Sequence, residues 1–115
     1  MTHSRKVAEI DARDIKVHFS PAVRSAFGDL EAAVHFSEHF DGDILRTVQD
    51  YAAGKPKSVH DVLIVLPTIA GETMKHVKAT GDKRAEEAWN EIAGQISENG
   101  FSLTQERGRR KQAAL

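Results

Sequence analysis

A chain of 115 residues, 40% apolar and 29% charged, is long enough to bury one ordinary core and too short for two full-sized domains joined by a linker. That composition lies near globular averages, away from the low-hydrophobicity, high-charge region in which chains stay disordered. A formal net charge of −1 supplies no overall positive field to draw the chain to nucleic acid or anionic lipid, and with no cysteine there are no disulfides and no thiol nucleophile.

The first residues, MTHSRKVAEIDARD, contain no apolar h-region, and the longest apolar run, VLIVL, falls far below the roughly 20 residues that span a bilayer. The expectation is a soluble, cytoplasmic protein with no membrane partner. Residues 1–13 are mixed and charged, with little beyond Val7 and Ile10 to bury, and read as a flexible N-terminal arm. In DIKVHFSP, Ile15, Val17 and Phe19 alternate with Lys16 and His18, the period of a half-buried strand, and Ser20 followed by Pro21 signals a helix start.

From Pro21 onward, Val23, Phe27, Leu30 and Val34 recur at spacings of 4, 3 and 4 and form one apolar stripe. His35 and His39 point away from that stripe, on the side of Arg24 and Glu31, while Phe36 and Phe40 fall on a third face. Either the helix bends near Ser37 or those rings pack on another element or subunit. FDGD then reads as a turn, with Asp43 capping a second helix whose buried side is Ile44, Leu45, Val48, Tyr51 and Ala52. Gly54 and Pro56 end it, and GKPKS reads as a linker between two halves.

Ser58 and Asp61 match a capping box and open the segment hardest to classify. DVLIVL alone suits a buried strand. Followed further, Val59, Val62, Leu63, Leu66, Ile69, Ala70, Thr73 and Val77 keep one helical face to Gly81, which predicts a helix of about six turns kinked at Pro67. So apolar a front half suits a central helix surrounded by its neighbours. Gly81 and Asp82 stop that helix and cap the next, whose stripe is Ala85, Trp89, Ile92 and Ile96. After Gly100, FSLTQE alternates and is a candidate partner for the strand at residues 15–19. The chain thus reads as mainly α: a single domain over 14–106, a small bundle of about four helices to which the alternating ends can add short strands. Residues 107–115, containing RGRRK, read as a basic, disordered tail.

Four chemistries compete for this pattern. Imidazoles four apart on a helix can share one ion, and Glu31, His35 and His39 form such a ladder, with Glu72 and His76 as a second pair. Against a metal stand the outward direction of His35 and His39 and the lack of any H-E-x-x-H; no cofactor is expected. Hydrolase and phosphate-loop signatures are missing as well, so no catalytic residue is assigned and no enzymatic activity is expected. The order of strand, helix, Gly-containing turn and helix over residues 15–53 resembles in outline a ribbon-helix-helix regulator. That resemblance implies that Lys16 and His18 face bases, with Arg24, Arg107, Arg109, Arg110 and Lys111 on phosphates. The first helix and turn run several residues too long for the compact form of that fold.

Protein interaction has the broadest basis. Phe36, Phe40 and Phe101 are aromatic side chains left over from the helical stripes, and surplus apolar surface tends to be covered by a protein partner or a second copy. A non-enzymatic interaction or regulatory module, with homodimerisation as one form of that interaction, is therefore the expected function.

Overall fold

Ser20 opens the first helix as its chemistry predicts: its Oγ accepts from the Val23 amide at 3.3 Å, and Pro21 enters the first turn with φ already set. The computed structural model describes residues 11–105. A 3-10 turn (Ala12–Asp14) leads into β1 (Ile15–Phe19), α1 (Pro21–Val34), α2 (Gly42–Ala52), β2 (Lys57–Ser58), α3 (Val59–Thr80), α4 (Lys83–Ser97) and β3 (Phe101–Gln105). The described residues are mainly α, four helices with a small three-stranded sheet. Most of the N-terminal arm and the basic tail, with Arg107, Arg109, Arg110 and Lys111, lie outside the described residues.

Two helix boundaries differ from the sequence pattern. The first helix stops at Val34 instead of bending near Ser37, because Phe36 adopts a left-handed φ of 64° and the chain turns through Ser37 N–H to Val34 O at 2.8 Å. The second helix is capped by Asp41, not Asp43. The Asp41 carboxylate accepts from the amides of Asp43 and Ile44 at 2.8 and 3.3 Å, which leaves Asp43 inside the first turn, where its charge favours the helix dipole.

Residues 61–66 are helical. Ser58 Oγ accepts from the Asp61 amide at 3.1 Å, the helix runs unbroken past Pro67, and Gly81 closes it with a φ of 71° and its N–H on Val77 O at 2.7 Å. This helix is not the centre of the bundle. α1 packs between α2 and α4 and buries Val23, Ala26, Phe27, Leu30 and Val34, whereas α3 lies outside them and leaves Leu63 66% and Ile64 57% exposed. A continuous apolar run predicts burial but does not say by which neighbours, and here the front half of α3 has neighbours on one side only.

Phe19, Phe27 and Tyr51 close the middle of the core, with ring centroids 5.1–5.4 Å apart and tilted or edge-on, the geometry that aromatic quadrupoles favour. Burial, with the charges of Asp61 and Asp50 behind it, pushes the Tyr51 hydroxyl up to about 12. In the sheet, β1 is central, with β2 and β3 antiparallel on either side. The alternating segments pair with each other: Val17 faces Leu103 and Phe19 faces Phe101. The GKPKS segment supplies β2, where Val17 faces Lys57. Asp50 holds Lys55 and Lys57 at 3.5 and 3.3 Å, which fixes the end of α2 against that strand.

Candidate functional site

The sheet divides its side chains by alternation. On one face lie Lys16, His18, Ser102 and Thr104, and His18 Nε2 meets Thr104 Oγ1 at 2.8 Å. On the other face Val17, Phe19, Phe101 and Leu103 form an apolar floor. The front of α3 faces it with Val59, Val62, Leu63 and Leu66, and Ile96 of α4 closes the end. The result is a cleft of about 190 Å³ whose lining residues are all apolar. Small-molecule sites occupy roughly 300–1,000 Å³ and carry polar groups that fix orientation. This cleft has neither the size nor the polar anchors, and its dimensions suit one or two inserted apolar side chains.

Leu63 stands on the α3 side of the cleft, and Leu103, 52% exposed, stands on the sheet side, while Ile64 projects from another face of α3. Two large aliphatic side chains in water at the mouth of a dry cleft form, with its lining, an apolar surface of the kind that partners cover. A broader groove of about 720 Å³ runs between α1 and α4. Its floor is Ala22, Ala26, Ala32, Ala33 and Ala88 and its rim is Asp29, Arg84, Glu87 and Glu91, so it offers no bulky apolar side chain to a ligand and a hydrated, mostly acidic margin. Volume alone does not make it the better site.

A second polar constellation joins residues that no spacing in the chain connects. His76, 5% exposed, places Nδ1 2.9 Å from Ser37 Oγ and Nε2 3.1 Å from Asp82 Oδ2. Asp82 also caps α4, its Oδ1 accepting from the Arg84 and Ala85 amides. The hydrogen bond from His76, opposed by burial and assisted by the Arg84 side chain and by the Ala85 and Arg84 amides, holds the carboxyl at about 2. An ionised carboxylate only accepts, so Nε2 carries a proton; in the neutral ring Nδ1 then accepts from the Ser37 hydroxyl. Serine, imidazole and acid therefore stand in line. In hydrolytic triads the serine meets Nε2 and the acid Nδ1, the reverse of the order here. Ser37 Oγ also accepts the His39 amide at 3.1 Å, and neither cleft described above reaches it. The line fastens the α1–α2 turn to the end of α3 and the start of α4.

The residues singled out in the sequence do not share one place. Phe36 is 87% exposed in the α1–α2 turn, Phe40 is buried in the core, and Phe101 lies half-buried in the cleft floor. Glu31 and His35 are paired at 3.0 Å, while His39 turns to Glu38 at 3.9 Å, so the Glu31–His35–His39 ladder is split. Among the described residues no three His, Asp or Glu side chains converge as metal ligands. Glu72 pairs with Lys75 and leaves His76 to Ser37 and Asp82. Lys16 and His18 lie on the polar sheet face, but both edges of β1 are taken by strands of its own chain, so β1 has no free edge for the two-subunit ribbon that the regulator resemblance implies. Arg24 lies against Gly54, just past the end of α2. No helix among the described residues is long and apolar enough to cross a membrane.

No protein-family model, curated protein or solved structure matches this chain.

Proposed function

We propose that this chain is a protein-interaction module that receives an apolar segment of a protein partner in the cleft between β3 and the front half of α3. The observation that carries the reading is the exposure of Leu63 and Leu103 around a cleft with no polar lining. Transferring such surface from water is worth about 25 cal/mol per Å², so each leucine covered by a partner adds on the order of 1 kcal/mol to binding. Ser37, His76 and Asp82 support the reading indirectly, since they hold the end of α3 and so keep that helix in place against the sheet.

A peptide library displayed on phage tests this. Selection on the protein should enrich extended sequences with large apolar residues, and the enrichment should vanish on a Leu63→Asp variant. Leu63 is mostly in water, so that substitution should alter folding stability by no more than about 0.5 kcal/mol. Equal enrichment on both proteins, or none on either, rejects the cleft as an interaction site.

A further inference from the structure

The two outer edges of the sheet are unlike. On one side β2 is two residues long, preceded by Pro56 and containing Lys57, and both features discourage another strand from pairing. On the other side β3 presents five residues, FSLTQ, with no charge, no proline and, among the described residues, no neighbour beyond it.

The ladder register shows which backbone groups face outward. Ser20 N–H donates to Gly100 O at 2.8 Å, so Ser20 and Gly100 are a hydrogen-bonded pair; in antiparallel pairing such pairs alternate, which makes His18–Ser102 and Lys16–Thr104 the next two. Phe101, Leu103 and Gln105 therefore turn their N–H and C=O groups away from β1, toward the open edge. Phe101 and Leu103 also line the cleft, so the edge and the apolar surface are continuous.

Going beyond the interaction reading above, which fills the cleft, we infer that the open edge binds a second copy of this chain, joined by antiparallel pairing of β3 with β3 about a two-fold axis at Leu103. Of the registers that match outward groups to outward groups, the one centred there uses all three residues: Leu103 opposite its counterpart, and Phe101 opposite Gln105 in both directions. It forms about six backbone hydrogen bonds and sets no charge against a like charge. The two sheets become one of six strands, ordered β2-β1-β3-β3-β1-β2. The two exposed Leu103 side chains meet at the centre, on the face that also carries each copy's cleft. An unrelated strand can use the same edge, and the experiment separates that case.

Sedimentation equilibrium of the full chain reads the mass. The wild type should sediment as a dimer at about 100 μM, well above a micromolar Kd. Leu103→Pro removes only an outward-facing N–H and Leu103→Lys places two cations at the axis, so both should halve the mass while circular dichroism and melting show a folded protein. Because the chain has no cysteine, Leu103→Cys supplies a clean second readout. Directly opposed residues of a hydrogen-bonded pair stand about 5.5 Å apart at Cα, within disulfide reach, so oxidation should give a covalent dimer that Thr104→Cys does not. A wild type that is monomeric, or a dimer that survives both Leu103→Pro and Leu103→Lys, overturns the inference. A monomeric wild type that still enriches apolar peptides through Leu63 overturns the second copy alone and leaves the interaction site standing.

Discussion

Asp82 accepts from the buried imidazole of His76 at 3.1 Å while capping α4 with its other oxygen, so one carboxylate ties the end of α3 to the start of the next helix. Asp82→Ala removes the cap, worth about 1 kcal/mol, and leaves a buried ring N–H unpaired, a further 1–3 kcal/mol or so. Urea melts at neutral pH should show a combined loss of about 2–4 kcal/mol. Asp82→Asn keeps one accepting oxygen for the cap and presents its –NH2 to His76 Nε2, which can accept once the ring proton sits on Nδ1 and is donated to Ser37 Oγ, so it should lose clearly less. Equal losses would mean that the charge, not the hydrogen bonding, carries the contribution.

The same carboxyl predicts the acid limb of stability. Its folded value is about 2 against an ordinary 3.8, so below 3.8 the unfolded chain binds the proton more readily than the folded one. The stabilisation is fully present above 3.8 and is lost as pH falls from there toward 2. Unfolding free energies measured across that window should decline in the wild type and decline less steeply in Asp82→Asn.

Tyr51 is fully enclosed, and no protein group among the described residues bonds its hydroxyl. A buried polar group without a partner costs free energy, whereas its ring contacts with Phe19 and Phe27 need no oxygen. Tyr51→Phe should therefore leave stability unchanged or raise it by up to about 1 kcal/mol. Tyr51→Ala, which empties the ring's space, should cost about 3–5 kcal/mol. A loss above about 1 kcal/mol in the phenylalanine variant would show that the hydroxyl is bonded in solution.

Those helices were legible because their start and stop signals are local: Ser20 with Pro21, Ser58 before Asp61, and Gly81 before Asp82 each act within a turn of themselves. Period-2 alternation likewise located β1 and β3 and suggested their pairing. What could not be read depends on distant partners. Two residues of β2 have no period, so GKPKS resembled a linker. His76 stands four residues from Glu72 and looked like its partner, yet its bonds go to Ser37 and Asp82, and a contact across 39 residues leaves no spacing to detect. The cleft was hidden for a third reason. Val59, Leu63 and Leu66 were visible as an apolar face, but which side of α3 remains uncovered is decided by where α1, α4 and the sheet sit.

Phe36 holds a φ of 64° while 87% exposed, so it takes up a conformation costly for a residue with a Cβ and gains little burial in return. Its compensation within the chain is a contact with the His35 ring, centroids 3.7 Å apart. Asparagine tolerates this conformation, and Phe36→Asn should stabilise the isolated chain by about 0.5–1 kcal/mol, visible as a rise of several degrees in Tm. A fall in Tm would show that the His35 contact outweighs the backbone strain.

Gly100 is held on both sides of its backbone, its N–H donating to Gln95 O at 2.7 Å and its C=O accepting from Ser20 at 2.8 Å, and this clamp sets where β3 begins. An added Cβ would stand 2.6 Å from Gln95 O and 2.7 Å from Val23 Cγ2. Neither neighbour can yield cheaply, since one is the backbone of α4 and the other a fully buried core side chain. Gly100→Ala should cost about 1–3 kcal/mol, as overpacked sites do. Gly94, on the exposed side of α4, has nothing within 4 Å of the same added atom, so Gly94→Ala should stabilise by about 0.5–1 kcal/mol through helix propensity. Thermal melts of the two variants should therefore move in opposite directions from the wild type. Were both to move upward, the close approach of β3 to α4 at Gly100 would not be what positions the strand.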